Sequence, residues 1–429
     1  MKKNRKPRYA LFLLLIAALI GWLIGRKIRD TPPEQTPSIA IQKSLHPKTK
    51  TSRARPVPLA INQLPDGTTV EIYSSQNPNE VIIRFLNFHS YQTFLTKLTS
   101  GNVFIVSRLD RLHAIRLGFQ EIEDLANLLQ KENIHIAPSL SQLPEPSPEE
   151  SATHDGHIGF GDTLLEWLGV HSDHSAWGRD VRIAVLDSGI VPHENIPGLV
   201  KSLAITPFPL QLSHINGHGT AMASLIAGIS ESAPGLAPSA ALISIRVSND
   251  KGKADCFAMA AGILTAIDEG ADLINISMGS EDDNPLVKDA VIYAQENQKV
   301  IIASSGNSAG IDAVYPAAYP GVISVGAVDA NGTHLPFSNY GTLLTLTAPG
   351  LALNAAWPEN RYVRTTGTSA SAAIVTGAIA AVMSHGNGKL IRANEAAELL
   401  LNQVTDAGLY GPDTQYGFGI LDLTEALKP

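Results

Sequence analysis

From about residue 160 to the C-terminus, short apolar runs ending in glycine turns alternate with Ala-rich stretches of helical length. A strand that is apolar along its whole length, rather than at every second residue, is buried on both faces. Parallel strands joined by helices bury strands in that way. The expected fold class is therefore α/β, a doubly wound and mainly parallel sheet with helices on both sides. With 429 residues, 44 % of them apolar, the chain can fill such a core and still supply further units. No internal repeat is apparent.

Upstream of residue 160 the pattern changes several times. Lys2, Lys3, Arg5, Lys6 and Arg8 precede an uncharged, mostly apolar run at residues 9–25, and Arg26 and Lys27 follow it. At about 1.5 Å per residue that run reaches roughly 25 Å, the lower end of what crosses a bilayer core. The basic flank points to an N-terminus in the cytoplasm and the rest of the chain outside. No small-x-small cleavage site follows the run, so residues 1–29 are read as a basic tail and membrane anchor. A cleaved signal peptide, giving a secreted protein, is the alternative. Residues 30–65 are Pro-rich with little apolar periodicity and read as a linker.

Residues 66–142 show short strands at 81–85, 103–106, 113–117 and 134–136. Helices are expected at 91–98 and on the face formed by Ile122, Leu125, Leu128 and Leu129. This β-α-β-β-α-β order describes a small α+β unit of ferredoxin-like type. Residues 143–159, with Pro144, Pro146 and Pro148 among Glu145, Glu149 and Glu150, read as a second linker, and residues 160–429 hold the large α/β unit.

Charge excludes one class of function. Residues 1–60 hold 13 Lys and Arg against 2 acids, which leaves 19 basic and 38 acidic side chains in the remainder. A nucleic-acid partner would need a basic face, so none is expected. Cys256 is the single cysteine, which rules out an intrachain disulfide and a Cys-based zinc site. Its apolar neighbours mark it as a core residue rather than a reactive thiol.

Three turns carry the chemistry. Asp187-Ser188-Gly189 ends the apolar strand Val181 to Leu186, at the strand end where open α/β sheets place their sites. Alone, such an Asp is as readily a turn or cap residue. His218 stands between Gly217 and Gly219 and opens a run of small apolar residues, and Ser369 follows Gly367-Thr368 into an Ala-rich stretch. A nucleophile at a helix start gains from the dipole and nearby N–H groups. Together the three fit acyl transfer: Ser369 attacks a carbonyl, His218 takes its proton and Asp187 fixes the imidazole tautomer. Asn307, after the strand Ile301 to Ser304 and the turn Ser305-Gly306, can donate its amide to the developing oxyanion beside the Ser369 N–H.

This ordered set resembles the subtilisin-like serine proteases, the subtilases. The resemblance rests on Val185-Leu186-Asp187-Ser188-Gly189, His218-Gly219-Thr220-Ala221-Met222-Ala223, Ser305-Gly306-Asn307 and Gly367-Thr368-Ser369-Ala370, and extends over about residues 160–429. It implies a subtilisin-like fold and endopeptidase activity on polypeptides. It also implies substrate contacts from Ser277, Met278 and Gly279 on one side and from Ser304, Ser305 and Gly306 on the other. Val314 falls where many relatives have glycine, at the floor of the first specificity pocket. Small or medium apolar residues are therefore expected before the scissile bond. The α+β unit is similar to the prosegments that precede subtilase catalytic domains as folding aids and inhibitors, so the chain's own prosegment is an expected partner; an accessory binding domain is the alternative.

The sequence departs from the family in places. Ala370 and Ala373 stand where Met and Pro are usual. No cofactor is expected to be required, and no metal ligand is assigned. Calcium is doubtful: the segment Ile229 to Gly235 is shorter than the calcium loop many subtilases carry there, and its one carboxylate is Glu231. Asp282-Asp283-Asn284 reads as a solvated loop, and His154, His157, His171 and His174 lack other soft ligands around them. Two rival functions use the same residues: a catalytically silent peptide-binding pseudoprotease, and an acyl transferase or peptide ligase.

Overall fold

The computed structural model describes residues 69–98, 101–131, 156–205, 216–249, 251–385 and 390–427, with two short strands at 61–63 and 142–143. The expected membrane segment at 9–25, most of the first linker and the expected strand at 134–136 lie outside the described residues. No helix among the described residues is long and apolar enough to cross a membrane.

The small unit is an antiparallel sheet of β1 (Ile61–Gln63), β2 (Thr69–Ser74), β3 (Glu80–Phe85), β4 (Val103–Leu109) and β5 (Ala114–Phe119), in the order β1-β2-β3-β5-β4. Alternation along the strands sorts its faces. Ile72, Val81, Ile83, Ile115 and Leu117 pack with Tyr91 and Phe94 of α1 (Phe88–Lys97) and Leu125 and Leu129 of α2 (Ile122–Lys131). The Asn87 side chain caps α1 by accepting from the N–H groups of His89 and Ser90. The central β3-β5-β4 arrangement and both helices agree with the α+β reading. At the other edge of β3 lies β2, whose polar Thr69, Glu71 and Ser74 hide its strand pattern in the sequence.

The short strand β6 (Gln142–Leu143) leads to the large unit. There, β7 (Arg182–Asp187) and β8 (Leu199–Ala204) precede α4 (His218–Ala227), with the short helix α3 (Leu164–Trp167) before them. A tight hairpin of β9 (Ile229–Ser230) and β10 (Ala233–Pro234) follows, then β11 (Ala241–Arg246), β12 (Ala254–Asp255), α5 (Cys256–Asp268), β13 (Leu273–Ile276) and α6 (Pro285–Glu296). The chain continues through β14 (Val300–Ser304), β15 (Ile323–Val328), β16 (Leu346–Pro349), the hairpin β17 (Leu353–Trp357) and β18 (Arg361–Thr365), α7 (Thr368–Ser384) and α8 (Ala393–Leu401).

Seven of these strands form a parallel sheet, ordered β16-β15-β14-β13-β7-β11-β8. Both faces are buried except at the edge strand β8. Ile183, Val185, Leu273, Ile302 and Val325 pack against α4 and α7, whereas Ala184, Leu186, Ile274, Ile276 and Ile301 pack against α5 and α6. This is the doubly wound α/β class. The connection from β7 runs to one side of the sheet and the connections from β13 run to the other. That reversal opens a crevice at the C-terminal ends of β7 and β13, where such sheets bind ligands.

The second face of the small sheet meets α5 and α6. Tyr73, Ile82, Leu112 and Ala114 share one core cluster with Phe257, Leu286 and Ala290. Polar groups fix the contact. Arg116 is buried, donates to Asp255 at 2.6 Å and lies 4.7 Å above the Phe257 ring, while Arg84 pairs with Glu71 of its own sheet and Asp289 of α6. Asp255 also caps α5 by accepting from the Ala258 N–H. Beside it, β6 pairs antiparallel with β12.

Candidate active site

Asp187 is the last residue of β7, in the middle of the parallel sheet, and is fully buried. A buried carboxylate needs donors. The Ser188 N–H reaches its Oδ1 at 2.7 Å, and the Ser188 hydroxyl lies 3.1 Å from the same oxygen. That hydroxyl is 2.9 Å from Asn216 O and accepts the Gly219 N–H, so it joins the Asp187 turn to the start of α4. His218 is the first residue of α4, and its Nδ1 sits 2.9 Å from Asp187 Oδ2 and 3.0 Å from Oδ1. A carboxylate only accepts, so Nδ1 carries the proton and a neutral ring keeps its lone pair on Nε2. Gly219 makes the approach possible: a Cβ there would stand 2.5 Å from Gly189 O and 3.1 Å from Asp187 Oδ1.

Ser369 is the second residue of α7, after Gly367, whose φ of +143° suits glycine alone. Its hydroxyl donates to Ser277 O at 3.0 Å, and the Ser277 hydroxyl donates to Ser369 O at 3.1 Å. Sequence reasoning expects Ser277 to contact substrate; the structure buries it completely, with its side chain behind the serine. Asn307 has a defined orientation. Its Oδ1 accepts from both the N–H and the hydroxyl of Thr368 at 2.9 Å, and its Nδ2 lies over Gly367, 3.0 Å from where a Cβ would be. The Thr368 hydroxyl also accepts the Gly306 N–H. Thr368 thus decides which end of the Asn307 amide faces the crevice, a role that nothing in the sequence distinguishes from a spacer between Gly367 and Ser369.

Beside Asn307 and Thr368 lies a cavity of about 220 Å³, lined also by Met278, Gly279, Ser280, Glu281, Ser304, Gly306, Ser308 and Val314. Met278, Gly279, Ser304, Gly306 and Val314, which the sequence reading assigns to substrate contact, all line it. Ser305 is fully buried behind the wall, donating its hydroxyl to Asn339 O. Val314 stands between the two glycine walls: its Cγ2 is 2.2 Å from a Cβ built on Gly279 and its Cγ1 3.1 Å from one built on Gly306. Asn339, unmarked in the sequence, holds the outer loop through its Oδ1, which accepts from the N–H groups of Ser308 and Gly310.

The remaining polar groups are placed elsewhere. Burial pushes the Cys256 thiol well above its ordinary range, the state of an inert core cysteine. His157 Nδ1 lies 3.0 Å from Asp329, whereas His174 stacks edge-on against Trp177; His154 lies outside the described residues. Asn284 caps α6 with its side chain. No group of three or more His, Cys, Asp or Glu side chains suited to a metal occurs among the described residues. Two larger cavities exist, about 780 Å³ beside Asp272, Lys299 and Arg392 and about 650 Å³ beside His334, Tyr340 and Tyr416. The first lies at the N-terminal ends of β13 and β14, and neither adjoins Ser369.

Known proteins similar to this chain match its large unit. The Subtilase family profile matches residues 178–419. The chain is 34 % identical over 229 residues to the thermostable alkaline protease of Halalkalibacterium halodurans, covering 53 % of this chain and 63 % of that protein, less than two thirds of its length. It is 31 % identical over 257 residues to subtilisin DY of Bacillus licheniformis, covering 58 % and 92 %. Among solved structures, a serine-to-alanine mutant of the protease domain of PatA matches with a TM-score of 0.55 at 27 % identity, over 59 % of this chain and 96 % of that one.

Proposed function

The chain belongs to the subtilase family of serine endopeptidases, and from that premise we propose that it hydrolyses peptide bonds through an acyl-enzyme on Ser369. The observation that carries the reading is the bonding of His218 Nδ1 to Asp187, which holds the proton on Nδ1 and gives the Nε2 lone pair the part of base. In the reaction, Ser369 Oγ leaves Ser277 O, gives its proton to His218 Nε2 and bonds to the scissile carbonyl carbon. Asp187 stabilises the imidazolium, and Asn307 Nδ2 and the Ser369 N–H receive the oxyanion. His218 then protonates the leaving amine, and water repeats the sequence to release the acyl group.

The small unit is proposed to be a prosegment and first substrate. Support comes from β6, which pairs with β12 beside α5 and so carries the chain along an edge of the catalytic unit just before the Pro- and Glu-rich stretch. Val314, wedged between the glycine walls, supports a preference for small or medium apolar residues before the cut. The charge pattern around residues 9–25 supports a membrane-tethered chain with its catalytic unit outside the cytoplasm. No calcium is assigned to the reaction. Digestion of a peptide library by the full chain tests the proposal: cleavage is expected from the native chain and none from Ser369→Ala, and undiminished cleavage by that variant overturns it.

A further inference from the structure

Subtilases resembling this chain commonly carry a calcium loop after the helix that bears the histidine. Here that segment is the β9–β10 hairpin, and the residues around it do not fit the ion. Its one carboxylate, Glu231, is exposed at the turn. The group at the centre of the hairpin's attachment is instead Asn195, 1 % exposed, on the loop that leaves Asp187. Asn195 Nδ2 donates to Ser224 Oγ at 3.0 Å and to Ala233 O at 2.9 Å, and its Oδ1 accepts the Ser230 N–H. The amide orientation is fixed by its neighbours. Ala233 O can only accept and the Ser230 N–H can only donate, so a flipped carboxamide would oppose oxygen to oxygen and N–H to N–H. Both amide hydrogens are therefore taken by Ser224 and Ala233, and the amide oxygen is already bonded to the Ser230 N–H.

The same side chain joins three elements. Ser224 belongs to α4, six residues after His218, and its hydroxyl also accepts the Ala356 N–H of β17. The Asn195 main chain adds a further tie, its carbonyl accepting the Ile229 N–H at 3.1 Å. The packing leaves little slack, since a Cβ on Gly228 would come within 2.7 Å of Asn195 Nδ2 and 2.5 Å of Ala233 O.

We propose that the Asn195 carboxamide is a metal-free clasp: it fastens the Asp187 loop to the His218 helix and closes the β9–β10 hairpin where relatives use calcium. The proposal goes beyond catalysis and is tested without it. Hydrogen exchange and thermal denaturation are measured on the full chain carrying Ser369→Ala, which prevents self-digestion, in EGTA and in millimolar calcium. Exchange of the amides at 229–236 is expected to be the same in both. Adding Asn195→Asp places a buried carboxylate against Ala233 O. In EGTA it should speed that exchange at least about tenfold and lower the midpoint by about 5 °C or more. The proposal is overturned if EGTA speeds exchange in this hairpin of the Asn195 protein and calcium restores it, or if Asn195→Asp behaves like Asn195 in EGTA. Should Asn195→Asp fail to fold, the comparison on the Asn195 protein alone decides.

Discussion

Asn307 and Thr368 act as a pair at the residue scale. An amide whose oxygen is held by two donors presents its N–H₂ to the crevice at no reorganisation cost when charge develops there. Asn307→Ala should lower kcat by about 10²–10³ with little change in KM, because the bond strengthens only in the transition state. Thr368→Val removes the hydroxyl that orients Asn307 and should lower kcat by about tenfold, again with KM nearly unchanged. Steady-state kinetics on a peptide substrate check both, and a variant that raised KM alone would mark Asn307 as a ground-state binder. Asp187, His218, Ser369 and Asn307 are legible in the sequence because Asp187 and Asn307 follow apolar runs in glycine turns, and His218 and Ser369 open small-residue runs just after a glycine. Thr368, Asn339 and Asn195 are not. Their roles depend on which oxygen or N–H faces them across 29 to 62 residues of chain, and a polar side chain in a loop carries no mark of its distant partner.

At the scale of elements, two glycine-walled segments and one valine shape the pocket. The turn after β13 and the turn after β14 form its sides, and Val314 fills the space between them. Val314→Gly should therefore lengthen the pocket and raise kcat/KM for Phe or Tyr before the scissile bond, relative to Ala or Val, by about 10- to 200-fold. Paired peptide substrates read that ratio directly; a native chain that already favours aromatic residues contradicts the shortened pocket. Strand and helix identities in the large unit were legible because residues buried on both faces leave uninterrupted apolar runs. Asp255 and Asn284 each stand directly before a helical run as its cap. The hairpin β9–β10 reads in the sequence only as a short loop, since two-residue strands have no periodicity to detect.

At the scale of the whole molecule, two sheets of different kind share one helical layer. Arg84 and Arg116 lie on β3 and β5, on the face of the small sheet that also carries Ile82 and Ala114. In the structure that face is covered by α5 and α6, and Arg116 is buried against Asp255. Removing either partner of the Arg116–Asp255 pair by substitution would leave the other charge buried without it, at a cost of about 3–5 kcal/mol. The native chain should be cut between Ala137 and Ser151, independently of dilution, whereas Ser369→Ala should stay full length. N-terminal sequencing of both proteins checks this, and a native chain that is fully active while uncut would make the small unit an accessory domain. The most direct test of the account is the identity of the nucleophile. The full chain is reacted with a serine-directed phosphonate, digested, and the adduct located by tandem mass spectrometry. A single adduct is expected on Ser369, absent from Ser369→Ala and nearly absent from His218→Ala. An adduct on another serine, or labelling that survives Ser369→Ala, would contradict it.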